Sequence, residues 1–229
     1  MAAYIAVVDY HKGNLLSVER ALVAAGAQVL VTDDPALIEQ AAAAVVPGVG
    51  AFDDAMTYMR SSGQDEAIRR LVVSGRALLG ICLGMQLLFD RGNEHAEPPA
   101  FGEVPEWVPG LGILRGEVRR LEGRGVKVPH VGWNAADFTA SGERCPLFDG
   151  VASGTYFYHT HSYVCHPEDS SQERSASFSV MSALMMLSLN HWGMSSVASA
   201  TAWHSSSDAP PSARAFQYSK EPSPVTMLK

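Results

Sequence analysis

The residues best placed to do chemistry are Gly80-Ile81-Cys82-Leu83-Gly84. The apolar run Ala77-Leu78-Leu79 precedes them and Met85-Gln86-Leu87-Leu88-Phe89 follows. This order predicts a buried strand, a tight turn carrying a thiol, and the first turns of a helix. Glycines are needed because such a turn leaves no room for side chains beside the nucleophile. A sulfur at the head of a helix meets N–H groups and a dipole that favour a thiolate. The Leu83 N–H would face an oxyanion formed on an attacked carbonyl. The same five residues also suit a structural cysteine packed between glycines. His159 and His161, two apart, share one face of a strand. No carboxylate or cysteine is obviously paired with them, so no metal site is expected.

The surrounding elements follow from hydrophobic patterning. Tyr4 to Val8 is a continuous apolar run closed by Asp9, the mark of a strand covered on both faces. Leu15, Val18, Leu22 and Val23 recur at helical spacing, and Gly26 is a good stop. Val29-Leu30-Val31 is a second strand, Asp33-Asp34-Pro35 opens a short helix, and Ala43 to Val46 is a third strand. Strands alternating with helices predict an open α/β sheet, mostly parallel, with helices on both faces. Ligands of such sheets bind beyond the carboxyl ends of the strands. Cys82 and Pro47-Gly48-Val49-Gly50 both fall at such ends. Leu111 to Glu122 and Val126 to Pro129 read as antiparallel strands inserted into this frame, and Thr155 to Tyr163 as a further aromatic strand.

The chain has 229 residues and a formal net charge of −7. The acidic balance argues against a nucleic-acid surface, which needs clustered Lys and Arg. No apolar stretch reaches the roughly 18 residues of a membrane span. Cys82, Cys145 and Cys165 lie far apart with no C-x-x-C pairing. That pattern, with an N-terminus opening directly on a strand, leads to the expectation of a cytoplasmic protein.

Gly80-Ile81-Cys82-Leu83-Gly84-Met85-Gln86 resembles the nucleophile segment of the class I glutamine amidotransferases. Three further segments resemble one subgroup of that family, the glutaminase subunits of imidazole glycerol phosphate synthase. They are Asp9 to Leu15, Pro47 to Phe52 and Pro129-His130-Val131-Gly132-Trp133-Asn134. The resemblance spans about residues 4 to 165 and implies a flavodoxin-like sheet with a small antiparallel insertion. It implies that Cys82 attacks the side-chain amide of glutamine. Leu83 and the Val49-Gly50 strip would then hold the oxyanion. Gln86, Glu94 and the strand His161-Ser162-Tyr163 would position the substrate. Asn14, Pro129, Trp133 and Asn134 would face a partner cyclase subunit that consumes the ammonia, although Trp133 also suits core filling. No metal or organic cofactor is implied.

The resemblance breaks near the C-terminus. The family completes its triad there with a His-Pro-Glu strand, whose His serves as base and whose Glu orients it. After residue 170 this chain turns rich in Ser, which makes up roughly a quarter of the segment, and Pro clusters at Pro210-Pro211 and Pro222 to Pro224. Residues 1–169 are therefore expected to form the amidotransferase domain and 170–229 a divergent or poorly ordered segment. Val180 to Leu189 suits a Met-rich helix, although the family has strands there. His166-Pro167-Glu168 follows Tyr163 too closely. At about 3.3 Å per residue the strand carries His166 roughly 15 Å from the substrate end. His204 stands nearest the family's base position and is the candidate base, with no orienting acid assigned. A catalytically impaired or inactive subunit that only binds the partner, or a stand-alone thiol hydrolase, stays open at this point.

Overall fold

The structure is a computed structural model that describes residues 3–97, 106–122, 127–140, 142–169 and, for backbone, 184–187. Strands β1 (Ile5–Val8), β2 (Val29–Thr32), β3 (Ala43–Val46) and β4 (Ala77–Ile81) form a parallel array. A fifth strand, β11 (Leu184–Leu187), closes one edge antiparallel to β4, in the order β11-β4-β3-β1-β2. The Met-rich helix expected across this stretch is thus, over these four residues, a strand. Backbone pairing with the edge of β4 decides its conformation, which local composition could not show.

The register explains where a site must form. Val46 pairs with Gly80, and Val7 pairs with both Val31 and Val45. The loops leaving β1, β3 and β4 therefore emerge side by side at one end of the sheet. Between the strands lie α1 (Leu15–Ala24), α2 (Pro35–Gln40), α3 (Phe52–Ser62) and α4 (Gln64–Val73). Asn14 caps α1, its side chain accepting the Ser17 N–H at 3.2 Å, and Asp34 caps α2 in the same way. Gly63, with a φ of 78°, both ends α3 and starts α4.

The helix expected after Cys82 is only one turn, α5 (Leu83–Gln86), and β5 (Phe89–Gly92) follows at once. The carbonyls that a longer helix needs are taken from outside. Leu111, Ile113 and Gly112 N–H groups donate to the carbonyls of Leu87, Leu88 and Phe89 at 2.8, 2.9 and 3.1 Å. Leu87, Leu88 and Phe89 stay fully buried, and Phe89 opens a strand of a second sheet. That sheet runs β10-β7-β5-β6, with β6 (Val108–Pro109), β7 (Leu114–Arg120) and β10 (Tyr163–Pro167). One hydrophobic core joins both sheets through the elbow, from Val8 and Val46 through Leu83 and Met85 to Phe89 and Val118. β7 is parallel to β5 and antiparallel to β10, so the inserted strands are mixed in direction.

A separate antiparallel ribbon pairs β8 (His130–Ala136) with β9 (Thr155–His161). The strand expected at Val126 to Pro129 begins instead at His130. Alternation sorts its side chains. Val131, Trp133, Tyr156 and Tyr158 are exposed large apolar groups on one face, while His159 and His161 are buried on the other. Ser162 breaks the chain between β9 and β10, so the single strand expected through Tyr163 is two.

Candidate active site

Cys82 caps the end of β4 with a φ of 55° and ψ of −117°, a conformation a β-carbon makes costly. Its glycine neighbours explain how that strain is held. A β-carbon on Gly80 would run into the Met85 backbone, and one on Gly84 into the Val46 carbonyl. The strip after β3 is fixed from the first loop. The Tyr10 hydroxyl donates to the Pro47 carbonyl at 2.5 Å, and a β-carbon on Gly48 would strike that hydroxyl. Gly48 also abuts the Gly84 amide, so strip and elbow are in contact. Gly50 takes a φ of 109°, which sets the peptide plane after Val49 in a way other residues resist. Val49 itself is exposed.

The electrostatics correct one expectation. Burial pushes the Cys82 thiol up from its ordinary value; the Leu83 N–H draws it back and the nearby Glu94 carboxylate pushes it further up. A helix of four residues contributes too little to reverse this. The resting thiol is therefore neutral, and attack requires a group to take its proton.

Glu94 lies at the site. Burial, then Asp53, pushes its carboxyl up to about 7, and it raises both the Cys82 thiol and the Tyr163 phenol. The Gln86 side chain is buried and donates to the Tyr163 carbonyl at 3.4 Å. His161 Nδ1 meets the same carbonyl at 3.0 Å. Cys82, Gln86, Glu94, His161 and Tyr163 are thus brought together. Ser162, between the last two, is half-buried. Trp133 and Asn134 stand on β8, Pro129 just before it, and Asn14 at the head of α1. His166 points with alternation away from Cys165, faces Glu117 across the ladder, and is shifted down by burial and Arg119. His204 lies outside the described residues. Among the described residues no group of three or more His, Cys, Asp or Glu could hold a metal ion.

Two residues were missed by sequence reasoning. Tyr10 is fully buried under the strip; its only signal was its place in the first loop. Cys165 is buried near Cys82, and its thiol is raised by burial and by that neighbour.

The shift at Glu94 has a sign that can be tested. Between about pH 4.5 and about 7 the unfolded chain gives up this proton and the folded chain keeps it. Stability contributed here is present in acid and is lost as pH rises through that window. In thermal melts the wild type should lose stability relative to Glu94→Gln as pH rises over this range. Identical pH dependence would place Glu94 in open solvent.

A strained thiol elbow at the carboxyl edge of a parallel sheet, against a glycine strip, defines a class. The family described as "Glutamine amidotransferase class-I" matches residues 6–187. The chain is 47% identical over 165 residues to the imidazole glycerol phosphate synthase subunit HisH of Moorella thermoacetica, covering 72% of each. It is 45% identical over 165 residues to the protein of that name from Dehalococcoides mccartyi, covering 72% of this chain and 74% of that one. A crystal structure of a glutamine amidotransferase shares the fold, with a TM-score of 0.50 at 23% identity over 72% of this chain and 74% of that one. The chain belongs to the class-I glutamine amidotransferases, and within them to the family of imidazole glycerol phosphate synthase subunits HisH. No helix among the described residues is long and apolar enough to cross a membrane.

Proposed function

We propose that this chain hydrolyses glutamine to glutamate and ammonia and passes the ammonia to a cyclase subunit, which makes imidazole glycerol phosphate in histidine biosynthesis. The observation that carries this reading is the strained Cys82 elbow with Gln86, Glu94 and the Tyr163 carbonyl gathered around it. The Cys82 sulfur attacks the carboxamide carbon of glutamine while a base takes the thiol proton. The oxygen becomes an oxyanion held by the Leu83 N–H and the amides of the Val49-Gly50 strip. Collapse expels the nitrogen, which takes the proton back and leaves as ammonia. Water then cleaves the thioester, releasing glutamate and restoring the thiol. Glu94, ionised above about pH 7, accepts from the substrate ammonium.

Partner docking is supported by the outer face of the β8–β9 ribbon. Trp133 is 61% exposed and meets Tyr158 edge-on, ring centroids 5.6 Å apart. Exposed aromatics grouped on one face suit an interface anchor, and the reading of Trp133 as core filling fails on this exposure. Trp133→Ala should weaken association with the cyclase subunit by about 2 kcal/mol or more. A binding titration that does not move would put the interface elsewhere. Membership of this family gives no support to a subunit that binds without turnover.

The function itself is tested by glutamate release from glutamine, with the cyclase subunit present and its nucleotide substrate added. Release that depends on the partner supports the reading. No release above the uncatalysed rate, from a chain shown to bind the partner, would sink it.

A further inference from the structure

His130, on β8, sits between the partner-facing ribbon and the glutamine site. It pairs with His161 across the ribbon, and its Nδ1 lies 2.9 Å from His161 Nε2. Its Nε2 lies 3.0 Å from the Asn134 side-chain oxygen, one residue from Trp133. His161 Nδ1 in turn reaches the Tyr163 carbonyl, which Gln86 also holds. Four side chains therefore link the ribbon to the substrate side of Cys82.

The direction of each proton follows from one fixed end. A carbonyl only accepts, so His161 carries its proton on Nδ1. Burial and the neighbouring His130 hold the His161 ring neutral, so its Nε2 accepts. His130 must then donate from Nδ1. The Asn134 side-chain oxygen stands 3.0 Å from the His130 Nε2 and fixes the other end of the ring.

We propose that His130 is a positioning residue of the glutamine site. The chain Asn134 to His130 to His161 holds the Tyr163 carbonyl in place and ties it to the strand that carries Trp133. His159 walls this chain from the side, its ring centroid 5.8 Å from that of His130. It is 2% exposed, and neither of its ring nitrogens has a hydrogen-bond partner among the described residues. It contributes shape and no proton to the chain.

The kinetic consequence rests on the glutaminase reading above; the tautomers do not. With the cyclase subunit bound, His130→Phe should raise the glutamine KM about tenfold and change kcat by less than about threefold. His130→Asn, which keeps a donor, should recover much of the loss, and His159→Phe should leave KM where it was. Equal KM values for wild type and His130→Phe would overturn the proposal, as would a His159→Phe variant as impaired as His130→Phe. Long-range proton–nitrogen correlation spectra of the wild-type histidine rings test it without turnover. They should show His161 protonated on Nδ1 alone and a proton on His130 Nδ1. A proton on Nε2 of His161 instead would break the chain as drawn. A wild-type complex that releases no glutamate would refute the function while these spectra still decided the positioning role.

Discussion

Cys82→Ala should abolish glutamine hydrolysis, lowering glutamate release in the presence of the cyclase subunit by at least about 10⁴-fold. No other thiol can replace it. Cys165 is buried and its thiol is held protonated by that burial, while Cys145 stands on the loop before the turn Pro146–Phe148. A glutamine-mimicking electrophile should accordingly label Cys82 ahead of both. The selectivity arises from position more than from acidity, because burial keeps the Cys82 thiol neutral at rest. An analogue seated by Gln86 and Glu94 brings its carbon to that one sulfur. The substitution should leave partner binding intact, since Cys82 lies at the carboxyl end of β4 and Trp133 on the ribbon. Peptide mapping that found all three cysteines labelled alike would remove the case for Cys82. So would measurable turnover by the alanine variant.

Much of this arrangement could be read from residue order. β1 and β3 are continuous apolar runs because parallel strands are covered on both faces, and β4 ends where glycines first become obligatory. Gly80 and Gly84 mark the elbow because backbone from Met85 and Val46 occupies the space of their missing side chains. What escaped the sequence depends on distant partners. Leu87 to Phe89 has the composition of a helix, but its carbonyls are claimed by residues 111–113, and the chain turns into β5. The acidity expected of the thiol assumed the first turns of a helix behind it, and a single turn leaves desolvation in control. The pairing of His130 with His161 depends on ribbon register, which no local pattern records. Glu94 was named by resemblance, but the rise of its carboxyl to about 7 comes from burial and from Asp53, which residue order does not record.

We propose His204 as the base that takes the Cys82 proton, and His204→Ala should lower whatever glutamine hydrolysis the complex shows, by about 10²- to 10⁴-fold. The need for a base is stronger than the thiol's place in the sequence implied. A thiolate already formed could attack unaided, whereas a neutral thiol must lose its proton during attack, and the departing nitrogen must gain one. Two histidines of β9 and β10 are placed otherwise. His161 already directs Nδ1 to the Tyr163 carbonyl and Nε2 to His130, so proton exchange with Cys82 would cost both bonds. His166 precedes Pro167-Glu168, the order of residues a triad would use. In the fold it stands opposite Glu117 beside Arg119, and alternation on β10 turns it away from the face that Cys165 shares with Cys82. His166→Ala should therefore leave kcat within about threefold of the wild type. Both variants are to be assayed for glutamate release in the complex, with partner affinity measured alongside to separate chemistry from docking. The result that would reverse the assignment is near-normal turnover in His204→Ala together with its loss in His166→Ala. That outcome would require β10 to present His166 to the sulfur when substrate and partner are bound, a different register from the one that pairs His166 with Glu117.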